Sequence, residues 1–204
     1  MLRLWYVAVY KYIETNYYFL LFHAKNNKKL GGVLMIKMDI DAIVLRLTDS
    51  TATVNGNTLT EDEVILAYER NADTNGGITY FSTSSIRGKI EAKKRKLLNE
   101  KIQNNGSFPI LFVKATYAGF KVAYCADVIE IYSSKNKVPA AYFDIPESSY
   151  PQEFSGEEQR LWLAVKKIRQ CTDINIDDLC HYKDVKKDLF KALRRSTYFY
   201  VRFK

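Results

Sequence analysis

The sequence predicts an α+β domain built on a mixed β barrel with flanking helices. Three observations predict it. Aromatic residues are abundant, with 15 Tyr and 11 Phe, while Gly (9) and Pro (4) are few, a balance that favours strands. Alternating or β-branched apolar runs recur, as in "ITYFSTSS" (78–85) and "TYFYVRF" (197–203). Two segments, 85–106 and 185–196, carry apolar positions at helical spacing. With 204 residues, 47% of them hydrophobic, the chain suits one core-forming domain, or one domain with extensions.

Taken in order, "LRLWYVAVYKY" (2–12) reads as a strand, and "YYFLLF" (17–22) as a second strand or a buried helix turn. "KNNKKLGG" (25–32) is a basic loop, and "VLMIKMDIDAIVLRL" (33–47) is strand-like. Asn55-Gly56 within "TDSTATVNGNTLT" (48–60) signals a hairpin turn. Thr60 with Glu63 forms a capping box for a short turn, after which "VILAYER" (64–70) reads as a strand and "NADTNGG" as a turn. The segment 85–106 reads as a helix with Ile86, Ile90, Leu97 or Leu98, and Ile102 on one side, ended by Asn104-Asn105-Gly106. Two strands meet around Ala118-Gly119, and "VPAAYFDIPESSYPQEF", with three of the four prolines, reads as extended. "LWLAVKKIRQ" (161–170) fits helix and strand periods alike. "INIDDL" enters a turn. "VKKDLFKALRRS" (185–196) is a short basic helix with Leu189, Phe190 and Leu193 inward, and residues 197–203 close the chain as a strand.

The net charge of +8 is segregated: +5 over 1–37, −6 over 38–86, +5 over 87–101, −2 over 102–182 and +6 over 183–204. Clustered positive charge is what a polyanion binder needs, because each neutralised phosphate releases counterions. The competing reading is an ordinary basic surface. Three cysteines without a CxxC pair argue for a reducing, cytoplasmic setting rather than a disulfide scaffold. Cys171, Cys180 and His181 lack a fourth metal ligand, so no metal and no cofactor is expected. "YYFLLFHA" is too short to span a bilayer and lacks a leader cleavage pattern, so no membrane association is expected.

No catalytic constellation emerges. His23 and His181 sit in no nucleophile context, and there is no P-loop, G-x-G-x-x-G or G-x-S-x-G. Glu91-Ala92-Lys93, with Asp73 upstream, matches half of a metal-dependent nuclease motif, but it falls in a helix-like segment where that motif belongs on a buried strand. A non-enzyme is therefore expected. Nucleic acid fits better. The hydroxyls of Ser82, Thr83, Ser84 and Ser85 precede a helix start, where amides and hydroxyls can hold a phosphate. Ser85, Arg87, Lys89, Lys93, Lys94, Arg95 and Lys96 extend that contact, and Arg194 and Arg195 repeat the pairing of basic residues with aromatics. The plainer alternative makes the serines helix caps and the lysines a solvated face.

"ITYFSTSS" followed by "GFKVAYCADVIEIY" resembles the strands of PUA-like domains of the EVE and YTH type. "LWLAVKKI", "INIDDL", "VKKDLFKAL" and "RRSTYFYVRF" continue in the same order, and "LWYVAVYK" resembles the first strand. The resemblance covers most of 1–12 and 78–203. It departs at 13–60, as an insert or extension, and at the basic helical insert around 86–107. It implies a PUA-like mixed β pseudobarrel with flanking helices, makes "LWLAVKKI" a strand, and places Trp5, Tyr80, Phe81, Ser82 and Thr83 at a base pocket. It also implies a DNA-specificity domain of the McrBC type, reading a modified, flipped base in methylated DNA beside a fused or associated AAA+ GTPase restriction subunit. A B-three-like groove reader, an RNA-binding module and a protein adaptor are the alternatives.

Overall fold

The computed structural model of the chain describes residues 40–83, 92–196 and 198–204, with 92, 93, 198 and 199 as backbone only. The strands expected at 2–12 and 17–22 lie outside these residues, as do Ile86 and Ile90. Nine strands and three α-helices follow among the described residues: β1 (Ala42–Arg46), β2 (Ser50–Thr51), β3 (Thr58–Leu59), α1 (Glu61–Thr74), β4 (Ile78–Thr83), α2 (Ala92–Asn105), β5 (Phe108–Thr116), β6 (Gly119–Pro139), β7 (Glu158–Gln170), β8 (Leu179–His181), α3 (Leu189–Arg195) and β9 (Tyr198–Phe203). Seven strands form one mixed sheet in the order β4-β7-β6-β5-β1-β9-β8, while β2 and β3 make a separate hairpin. Only β1 and β5 pair in parallel; the other pairs of the large sheet are antiparallel.

The α+β class stands, but among the described residues the sheet is not closed into a barrel: β4 and β8 are its two edges. The central strands show why. Ile43 and Leu45 of β1, with Ile110 and Phe112 of β5, enter one core, while Ala42, Val44, Leu111 and Val113 enter another on the opposite face. A barrel has a single interior; strands apolar on both faces call for a cover on each side. Val64, Ile65 and Tyr68 of α1 and Leu98 of α2 cover the first face. Leu189 and Leu193 of α3 cover the second. Farther along that second face, Trp162 of β7 is buried with Ala140, Ile145 and Tyr150.

"VILAYER" is a correction. It belongs to the 14-residue helix α1, and the Thr60–Glu63 capping box starts that helix rather than a short turn. Glu63 Oε2 accepts from the Thr60 amide (2.8 Å), and the Thr60 hydroxyl caps the Glu63 amide. Val64, Ile65, Tyr68 and Ala72 fall on one buried face. Asp62, in the first turn, ties α1 to the sheet by accepting from Lys114 Nζ of β5 (2.5 Å) and Tyr124 OH of β6 (2.6 Å).

The expected extended stretch around 139–154 also differs. Pro139, Pro146 and Pro151 each precede a one-turn 3-10 helix, with φ of −66°, −62° and −58°, angles that suit a tight turn. Asn71 of α1 and Asn75, the residue that caps its C-terminus, both donate to Ser148 O, and the buried Thr79 hydroxyl donates to Asn71 Oδ1, so these turns are anchored to α1 and β4. "LWLAVKKIRQ" is strand, as the resemblance implied, with five consecutive buried residues from Leu161 to Val165. The turn at Asn55-Gly56, the helix stop at Gly106 and the strands meeting near Gly119 match their sequence signals. No helix among the described residues is long and apolar enough to cross a membrane.

Candidate nucleic-acid interface

Among the described residues strand β4 pairs only with β7, and it presents its residues alternately to the two faces of the sheet. Phe81 faces α1. It is 4% exposed, with ring centroids 4.4 Å from Tyr68 and 5.0 Å from Phe112. Tyr80 faces the other way, beside Tyr132 at 6.2 Å, and its hydroxyl reaches Glu130 Oε2 at 3.5 Å. The two neighbouring aromatics therefore do not meet in one pocket.

The α1 side of β4 does hold a cavity of ≈ 280 Å³. It opens between the end of β4, helix α1, the end of β1 and the start of β7. Phe81, Ser82 and Thr83 line it from β4, Tyr68 from α1, and Glu157 and Gln159 from the entry into β7, the strand beside β4. Phe154 completes an aromatic floor, its ring stacked on Tyr68 at 5.4 Å. The polar wall is specific. Tyr68 OH and Ser82 Oγ are 3.3 Å apart, and the Ser82 amide donates to the same Tyr68 oxygen. Burial pushes the Tyr68 phenol well above its ordinary range, so it stays a neutral hydroxyl. Gln159 Nε2 donates to Glu157 Oε2, while Gln159 Oε1 is buried without a partner. Burial also raises the Glu157 carboxyl, against the opposing pull of the Gln159 bond and of Lys137.

The sequence reading missed Tyr68, Phe154, Glu157 and Gln159. Tyr68 was legible once the capping box was extended into a helix, because it falls one turn after Val64. Nothing in "GEEQRLWL" singles out Glu157 and Gln159; their mutual bond is local, and it is the fold that sets them beside Tyr68 and Phe81 at the cavity.

The cationic residues divide. Trp5, Ser85, Arg87 and Lys89 lie outside the described residues, and Lys93 is placed only as backbone within α2. Lys94 is half-buried, its ammonium 5.7 Å from the centroid of Tyr182 and 5.5 Å from that of Tyr200. Arg95 donates to Ser133 O of β6 at 3.2 Å. Lys96 is exposed. Arg194 and Arg195 are exposed in the last turn of α3, where they complement the helix dipole. Helices α2 and α3 cover opposite faces of the sheet, so those two arginines do not share a face with Lys96.

Helix α2 instead meets the segment after β8. Lys183 Nζ lies 5.5 Å from the Tyr182 ring that Lys94 also approaches, and Lys187 Nζ is 3.4 Å from His181 Nε2. Two of the three basic blocks thus meet around His181 and Tyr182. Asp73, the upstream carboxylate of the nuclease match, is exposed on α1, and Glu91 lies outside the described residues. Among the described residues no group of three or more His, Cys, Asp or Glu is placed to hold a metal ion. No protein-family model, curated protein or solved structure matches the chain.

Proposed function

We propose that the chain is a non-catalytic DNA-binding specificity domain of PUA-like character, which takes a single base turned out of the duplex. The cavity at the end of β4 carries this reading. At ≈ 280 Å³ it sits at the small end of ligand pockets, a size that suits one heterocycle. Its aromatic floor and its wall of hydroxyl, amide and carboxyl groups offer what a flipped base requires: an apolar surface for the ring and paired donors and acceptors for its edge. Gln159 Oε1 is unpaired among the described residues, and the Glu157 carboxyl beside it supplies further acceptor oxygens. The exposed Lys96 and the basic residues gathered at Tyr182 support the sequence-independent part of binding. Such a domain suits a cytoplasmic, modification-dependent restriction system, as the specificity part of an AAA+ GTPase subunit acting on methylated DNA.

Gel-shift titrations at two salt concentrations test this, using matched duplexes that are unmodified, methylated or carry one mismatch. A modified or mismatched base costs less to extrude or fits better, so one of these duplexes should bind more tightly. Gln159→Ala should erase that preference while leaving the salt dependence intact. Sequence preference without any effect of modification or mismatch would replace the pocket reading with a groove reader of the B-three-like kind. No binding at low salt would sink the nucleic-acid reading.

A further inference from the structure

His181 is 9% exposed, and its ring leans on Tyr182 at 5.2 Å. The Lys183 backbone amide donates to His181 Nδ1 at 3.3 Å. A neutral imidazole that accepts at Nδ1 carries its proton on Nε2. That proton points to Lys187 Nζ, 3.4 Å away, and an ammonium has three donors and no acceptor. Two donors therefore face one another, one of them on a nearly buried ring, with no acceptor between them among the described residues. Lys94 and Lys183, both over the Tyr182 ring, bring positive charge from other sides. Asp184 turns its Oδ1 to the Lys186 amide at 3.0 Å and, among the described residues, makes no ion pair with Lys187.

We propose that His181 and Lys187 form an oxyanion site for a phosphate group, one of whose oxygens accepts from both His181 Nε2–H and the Lys187 ammonium. A dianionic or diester phosphate resolves the donor conflict, and its charge is met by the Lys187 ammonium with Lys183 close by. The ring also gives the site direction, because Nε2–H is fixed by the bond at Nδ1 rather than free to rotate as a lysine head is. The site deepens the nucleic-acid reading by naming one backbone phosphate contact. It stands on its own geometry, however, and shares no residue with the cavity at the end of β4.

The test is NMR of the full chain carrying His23→Gln, which leaves His181 as the sole histidine. Inorganic phosphate is titrated against sodium chloride of equal ionic strength while the His181 ring signals are followed through pH. Phosphate should give a saturable shift that chloride does not, and should raise the measured His181 pKa by about 1 pH unit. Lys187→Gln, at an exposed position, should weaken phosphate binding about tenfold, the loss of one charge-assisted hydrogen bond. Lys186→Gln should leave it unchanged. Equal responses to phosphate and chloride, or an undiminished response in Lys187→Gln, would overturn the site. Duplex DNA that displaces inorganic phosphate from His181 assigns the site to the nucleic-acid backbone. Phosphate binding that DNA does not disturb leaves the oxyanion site standing and counts against the nucleic-acid reading.

Discussion

Phe81 separates a core role from a base-stacking role, and Phe81→Ala decides between them. The ring is 4% exposed and packs against Tyr68 and Phe112 at 4.4 and 5.0 Å. Truncating a buried Phe to Ala costs about 3–5 kcal/mol, cavity included. Losing two close ring pairs, each contributing about 0.5–1.5 kcal/mol beyond area, places this site in the upper half of that range. A loss of about 4 kcal/mol should lower Tm by about 8–16 °C for a domain of this size. Urea denaturation followed by circular dichroism measures it. Duplex binding is then measured at a temperature where the variant remains folded. Affinity should fall only modestly there, because the cavity keeps Tyr68, Phe154 and its polar wall. A stability loss below about 1 kcal/mol, together with abolished binding, would refute the core assignment and make Phe81 the stacking platform itself.

Four further outcomes follow from the same structure. Leu98→Ala should cost about 2–5 kcal/mol in urea denaturation, because this residue of the basic helix is fully buried. Lys96→Glu, at an exposed position on that helix, should leave stability within about 0.5 kcal/mol and reduce the salt slope of DNA binding by about 1; Arg95→Glu should instead lower stability as well, by removing the bond to Ser133 O. The Lys114 and Tyr124 bonds hold the Asp62 carboxyl below its ordinary range, so the unfolded chain binds the extra proton and stability falls as pH drops below about 4; Asp62→Asn should flatten that acid limb in denaturation curves taken across pH. Glu157 has the opposite sign: burial raises its carboxyl, so its favourable contribution is full below the unfolded value and fades as pH rises through the folded one, and Glu157→Gln should relieve the loss at neutral pH, read as a raised Tm.

What could be read from the chain depended on whether a signal was local. The Thr60–Glu63 box, the Asn55-Gly56 turn and the stop at Gly106 are set by a few adjacent residues, and they occur where their chemistry places them. Helix α1 was misread because "VILAYER" has strand composition; its helicity is decided by packing Val64, Ile65 and Tyr68 onto the sheet, which is tertiary information. Alternation separated Tyr80 from Phe81, yet could not say which of them faced a cavity. That required knowing that α1 covers one side and the 3-10 turns the other. The meeting of Lys94 with Lys183 at Tyr182 joins residues far apart in the chain, so no window of sequence contains it; Glu157 and Gln159 are two residues apart, but their place beside Tyr68 and Phe81 at the cavity is set by distant elements.

The position of β9 has a consequence for biosynthesis. Although it follows every other strand in the chain, β9 lies inside the sheet, hydrogen-bonded to β1 on one side and β8 on the other. During vectorial synthesis, β1 and β5 can meet long before residues 198–203 exist, but the other edge of β1 stays unpaired until they emerge. Ala42, Ile43, Val44 and Leu45 along that edge are all buried in the finished fold. A nascent chain halted short of β9 would therefore display an apolar strand edge, the kind of surface that recruits chaperones or nucleates aggregation.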